Sequence, residues 1–196
     1  GELELRGIKL ANKLHPEVLG KKIELVVADN KSDKAEAASV AARLIEKDKV
    51  SVIVGSYGSS LSMAAGNIVK DSKVPAVGTS CTNPQVTANN DYYFRACFID
   101  PFQGQVMAEF ANKTLKVKNV AILYDASSEY SKGLTAVFTK TLEKNGGKAV
   151  ASEAFLAKDV DFKSALTKLK ASNPEAIYVP GYYEEVSKII KQAREI

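Results

Sequence analysis

The chain has 196 residues, of which 45% are hydrophobic and 26% charged, and its formal charge is +4. Length and composition suit one large globular domain or two small α/β lobes. They exclude a polybasic face for nucleic acid or membrane, because Lys and Arg sit beside acids, as in "LIEKDK" and "KTLEKNGGK".

The predicted elements alternate. Residues 2–14 place Leu3, Ile8, Leu10, Ala11 and Leu14 largely on one helical face. "KKIELVVAD" (21–29) is rich in β-branched residues and predicts a strand. "SDKAEAASVAARLIEKD" (32–48) opens on a Ser32–Asp33 cap signal and predicts a helix. "VSVIVG" (50–55) is a continuous apolar run, the pattern of a strand buried on both faces. A helix follows over 59–72 and a strand over 74–80. After the turn-rich "CTNPQVTANND", a strand is predicted over 92–98. Asp100 and Pro101 then read as an N-cap carboxylate and a first-turn proline, opening a helix to about residue 115. Strands over 117–125, 148–156 and 175–182 alternate with helices over 127–145, 161–172 and 184–195. This order predicts parallel sheets with helices on both faces. The rhythm restarts near "LKVKNVAILYD", which sets a lobe boundary at about 116–119: lobe 1 over 1–117 and lobe 2 over 118–196.

No apolar run approaches the roughly 20 residues of a membrane helix, and no leader pattern is present; a mature exported chain reads the same way. Two cysteines, Cys81 and Cys97, and one histidine, His15, are too few for the usual zinc clusters. His15 lies in "LHPEVLG" and reads as a solvated loop residue. The spacing of the cysteines leaves a disulfide open.

In open parallel sheets, ligands bind beyond the carboxyl ends of strands. The segments there are "SYGSSLS", "GTSCTNP", "DASSEYSKG" and "PGYYEE". They carry small hydroxyls and tyrosines and almost no bases. "GSYGSSLS" lacks the lysine of a phosphate loop, no G-x-G-x-x-G follows a strand, and "GSYGSS" does not match a hydrolase elbow. A carboxylate or zwitterion fits better. Main-chain N–H groups at the helix starting near Ser59 attract an anion, with Ser59 and Thr82 hydroxyls beside them and the Ser80 carbonyl as an acceptor. Ser59 and Ser60 serve equally well as a helix cap, and Asn83–Pro84 as a turn.

With these residues in view the chain resembles the type I periplasmic solute-binding proteins, specifically the branched-chain amino acid group of ABC transporters. The resemblance runs through "LRGIKLA", "GKKIELVVADNKSD", "VIVGSYGSS", "VGTSCTNPQVT", "YYFRACFIDPFQGQVMA", "VAILYDASSEYSKGL" and "DFKSALTKLKASNPEAIYVPGYYEEVSKIIKQAR", in family order over nearly the whole chain. It implies two doubly wound lobes with a ligand clamped between them. By position in these motifs, Ser59 meets the ligand carboxylate, and Ser80 and Thr82 take the ammonium and carboxylate. Tyr130 and Tyr182 approach from the opposite lobe, with Tyr57 and Phe102 as wall residues. Family members begin with a strand ahead of "LRGIKLA" and continue past "KQAREI", so the chain reads as a fragment. The first strand would lie between residues 23–28 and 51–55, and its loss would expose unpaired strand groups.

The resemblance further implies a non-enzymatic receptor outside the cytoplasm, periplasmic or membrane-anchored, that delivers a small amino acid to a membrane permease. It implies no cofactor and no nucleic acid. A sensory domain of the same fold is the first alternative. A doubly wound enzyme is the second, with Asp29, Asp125, Glu129, Glu184 and Glu185 as its available acids and bases, although Glu184 and Glu185 also suit a helix first turn.

Overall fold

Helix α1 (Glu2–Leu14) opens the chain in the computed structural model, which describes residues 1–196. It buries none of its residues and ends at the exposed His15. A two-residue antiparallel ladder follows, β1 (Glu17–Val18) with β2 (Lys21–Lys22), turned through Leu19 and Gly20 at positive φ. Helix α2 (Lys34–Glu46) is capped by the Asp33 side chain, which accepts from Glu36 N–H at 2.9 Å. Strand β3 (Ile53–Val54), helix α3 (Ser59–Ser72), strand β4 (Ala76–Gly78) and strand β5 (Tyr93–Arg95) form a parallel sheet in the order β3-β4-β5. Val69, Ala76, Cys81, Val86 and Tyr93 make its core.

The expected strands over 74–80, 92–98 and 175–182 keep three residues each, and those over 21–29 and 50–55 keep only two. Only the first two residues of 21–29 pair, and 50–55 contributes only β3. Residues 24–28 make no backbone hydrogen bond, although Ile23 N–H reaches Pro16 O. Ile53 and Gly55 N–H donate toward β4, to Pro75 O and Val77 O, so the alternate groups of Val52 and Val54 face away from that ladder. Beside these unpaired segments lies a groove of about 1330 Å³, lined by Leu5, Ile8, Val26, Val40, Leu44 and Leu61 among others. This is where the sequence placed unpaired strand groups. A strand is held by its neighbours, and neither edge has one across the groove, so apolar content alone does not make residues 23–29 a strand.

Helix α4 (Asp100–Glu109) starts the second unit and continues as a π-helical turn over Phe110–Thr114. Its N-cap falls on Ile99, one residue before the expected cap, and Asp100 lies buried in the first turn. Strands β6 (Asn119–Asp125), β7 (Lys148–Phe155) and β8 (Ala176–Tyr178) alternate with α5 (Glu129–Lys144) and α6 (Lys163–Ala171), and α7 (Tyr183–Glu195) closes the chain. The sheet order is β7-β6-β8, all parallel. Alternation along β6 splits the core into two layers. Ala121 and Leu123 pack with Phe155, Phe162, Leu166, Leu169 and Ile189. Val120 and Ile122 pack with Ala108, Phe138 and Leu142.

The compact units are Gly1–Cys97 and Phe98–Ile196, so the division falls about twenty residues before the lobe boundary expected near 116–119. The reason is the packing of α4. A Cβ on Gly104 would stand 2.9 Å from Val137, so the bare glycine lets α4 lie close on α5.

Candidate functional site

In the first unit, the loops after β3 and β4 are fastened side by side. Tyr57 bridges to Ser80 in parallel pairing, extending the β3–β4 ladder. Ser59 is fully buried, and its hydroxyl accepts from Asn83 N–H at 3.0 Å, which joins the first turn of α3 to the loop after β4. Beneath them, Ser62 Oγ lies 3.0 Å from Gly58 O and 3.2 Å from Ser56 O, positioned to donate to either. The Tyr93 hydroxyl donates to Gly55 O at 3.1 Å. The N-cap of α3 is Gly58 at φ 86°, a left-handed conformation that favours glycine, and it offers no side chain to the first-turn amides.

Arg95 organises the second loop from behind. Its guanidinium donates to the carbonyls of Cys81 at 2.8 Å, Asn83 at 2.9 Å and Pro84 at 3.1 Å, and to Thr87 Oγ1 at 2.6 Å. In a trans peptide C=O and N–H point oppositely, so turning the Cys81 carbonyl toward Arg95 turns the Thr82 N–H away from it. Thr82 is 7% exposed, and its Oγ1 is buried without a hydrogen-bond partner. A buried hydroxyl in that state costs free energy until something bonds to it. Ser80 differs: its hydroxyl donates to Glu4 Oε1 at 2.5 Å, and Thr79 Oγ1 donates to the same oxygen.

The structure therefore brings Ser59, Ser80 and Thr82 into one connected loop pair, with Tyr57 at its edge and 41% exposed. In the second unit, Tyr130 and Tyr182 stack with centroids 5.3 Å apart and planes at 21°. Gln103 Nε2 donates to Tyr130 OH at 3.1 Å. Ser131 joins the loops that carry these rings, accepting from Asp125 N–H and donating to Pro180 O. Phe102 is 62% exposed.

Sequence reasoning missed Arg95 and Glu4. Arg95 left one signal, a charged residue inside the apolar run "YYFRACF". Glu4 left none, because its partners lie 75 and 76 residues away. Most acids named for an enzyme are engaged in hydrogen bonds or ion pairs of the fold. Asp29 accepts from Lys31 N–H, Asp125 from Ser127 N–H and Oγ, and Glu185 from Lys158 N–H. Glu129 lies 2.6 Å from Lys132 Nζ, and Glu184 stands with Glu185 in the first turn of α7. The two thiols are free, and burial pushes that of Cys81 above its ordinary value.

Parallel α/β units with hydroxyl-lined loops at their strand ends are consistent with the periplasmic binding proteins of type I fold, and the similarity to known proteins shows that class. Residues 4–196 match the periplasmic binding protein family, and the chain belongs to it. Among solved structures, a leucine-binding protein LivK from Thermotoga maritima matches all of this chain with TM-score 0.97 and 42% identity, over 55% of its own length. The branched-chain amino acid transporter substrate-binding protein LivJ from Streptococcus pneumoniae, solved with isoleucine, matches all of it at 0.91 and 39%, over 56% of its length. A leucine-, isoleucine-, valine-, threonine- and alanine-binding protein of Pseudomonas aeruginosa is 31% identical over 91% of this chain and 48% of its own. The chain spans about half the length of the curated relatives it matches.

Proposed function

We propose that this chain is part of an extracytoplasmic solute-binding protein that captures a branched-chain amino acid for an ABC permease. The observation that carries the reading is Thr82 Oγ1, buried and unpartnered in the loop that Asn83 N–H fastens to Ser59 Oγ in the first turn of α3. A ligand carboxylate placed there accepts from that hydroxyl and from helix N-terminal amides, satisfying both without a basic side chain. Within the second unit, the stacked rings of Tyr130 and Tyr182 offer a flat apolar surface with polar tips, of the kind that receives an aliphatic side chain. The names of the relatives support leucine, isoleucine and valine as ligands. Capture by closure of two hinged lobes, without catalysis, is part of the same proposal.

Calorimetric titration of the chain with L-leucine, L-isoleucine and L-valine tests it. At least one should bind, and Thr82→Val, which keeps the shape and removes the hydroxyl, should weaken that binding by about tenfold, the equivalent of ~1.4 kcal/mol. Absence of binding to all three, or an unchanged affinity in Thr82→Val, overturns the reading.

A further inference from the structure

Glu4 links its helix to the loop after β4. Helix α1 buries no residue, yet the Glu4 side chain is only 19% exposed, and its Oε1 accepts from the hydroxyls of both Thr79 and Ser80. A hydroxyl has one proton and two lone pairs. With their protons committed to Glu4, Thr79 and Ser80 have only lone pairs to offer anything else. Two residues on, Thr82 Oγ1 has made no bond at all and keeps its proton available.

The loop after β4 thus carries two kinds of hydroxyl. Thr82 can donate, one residue before the Asn83 N–H that bonds Ser59 in the first turn of α3, and that end suits an anion. Ser80 can only accept, with a carboxylate behind it, and that end suits a cationic donor. A charged acceptor also holds its donors more firmly than a neutral one, so Ser80 does not readily turn its proton toward a ligand.

We propose that Glu4 is a positioning residue that sets ligand specificity: by holding the protons of Thr79 and Ser80 it fixes Ser80 Oγ as an acceptor, and the loop then selects carboxylates that also bear a primary ammonium. The proposal rests on the reading that this loop pair holds an amino acid head group. A ligand with a carboxylate but no ammonium satisfies the Thr82 end and leaves Ser80 facing nothing that can donate. A site built for such a bond discriminates strongly against the analogue that lacks it.

The test compares L-leucine with 4-methylpentanoate, which is leucine without its amino group, by calorimetry on the 196-residue chain. Two variants separate acceptor from charge. Glu4→Leu removes the acceptor at similar size, and Glu4→Gln keeps an oxygen there without the charge. The wild-type chain should prefer leucine by at least about tenfold. Glu4→Leu should lose most of that ratio, partly through tighter 4-methylpentanoate, because Ser80 is then free to donate. Glu4→Gln should retain part of it, because an oxygen still accepts from both hydroxyls while the negative charge behind Ser80 is gone. Ser80→Ala is a second route to the same loss should Glu4→Leu fail to fold: leucine weakens and 4-methylpentanoate does not. If leucine binds and the ratio survives in Glu4→Leu or Ser80→Ala, or if Glu4→Gln falls as far as Glu4→Leu, the role of Glu4 is refuted while the amino acid reading stands. If the wild-type chain binds neither compound, both fall together.

Discussion

Tyr93 shows how one side chain ties the candidate loops to the core of its unit. Its ring is 3% exposed, and its hydroxyl holds Gly55 O, at the turn that leads into α3. Burial is the largest influence on its phenol and pushes it from the ordinary 10.0 up to about 12. A raised folded value means that the unfolded chain loses this proton first. The contribution is therefore intact below about pH 10 and is lost between pH 10 and about 12. Two pH units correspond to about 3 kcal/mol at most. Tyr93→Phe should cost about 1 kcal/mol at neutral pH through the lost hydrogen bond. It should also flatten the fall in stability between pH 10 and 12, measured by urea unfolding across that range. Some site residues were legible at this scale and some were not. Ser59 and Thr82 could be named because they follow strand runs at fixed offsets. Glu4 and Arg95 could not, because their meaning lies in partners brought near by folding, over 75 and 76 residues for Glu4 and 8 to 14 for Arg95.

Helices and strands differ in how much of themselves they carry. All seven helices lie close to where periodicity puts them, because their hydrogen bonds close within four residues, although α4 is capped at Ile99 rather than Asp100 and gives way to a π-helical turn after Glu109. Asp33 and Ser128 cap α2 and α5 with their own side chains. What sequence did not disclose was how the helices pair. The contact of α4 with α5 turns on Gly104, where a Cβ would meet Val137 at 2.9 Å and Phe138 N at 3.2 Å. Gly104→Ala should lower the stability of the second unit by about 1–3 kcal/mol through overpacking, even though alanine is the better helix former by about 1 kcal/mol. A lower urea midpoint with unchanged slope is the expected result; a higher midpoint means that α4 has room to shift.

At the scale of the whole molecule the two units differ: one is well filled and the other carries an open groove. In Phe98–Ile196 the central strand β6 has neighbours on both sides and core layers on both faces. In Gly1–Cys97 the segments flanking the groove keep unpaired backbone and half-exposed apolar side chains, with Val26 at 44%, Val52 at 48% and Val54 at 47%. Native-state hydrogen exchange should therefore be fast at Leu25, Val26, Val27, Val52 and Val54 and slow at Ala121, Ile122 and Leu123. Equal protection in both sets would mean that the groove is closed in solution. By itself, the amino-acid sequence determined the alternation of helices and strands, the parallel α/β class and the hydroxyl character of the strand-end loops, since each rests on local periodicity and residue chemistry. Tertiary structure alone decided that residues 23–29 form no strand, that α4 joins the second unit, and that Ser80 has given its proton away while Thr82 has not. Those outcomes depend on which groups meet across the fold, and hydrogen-bond partners distant in the chain leave no mark on the local pattern.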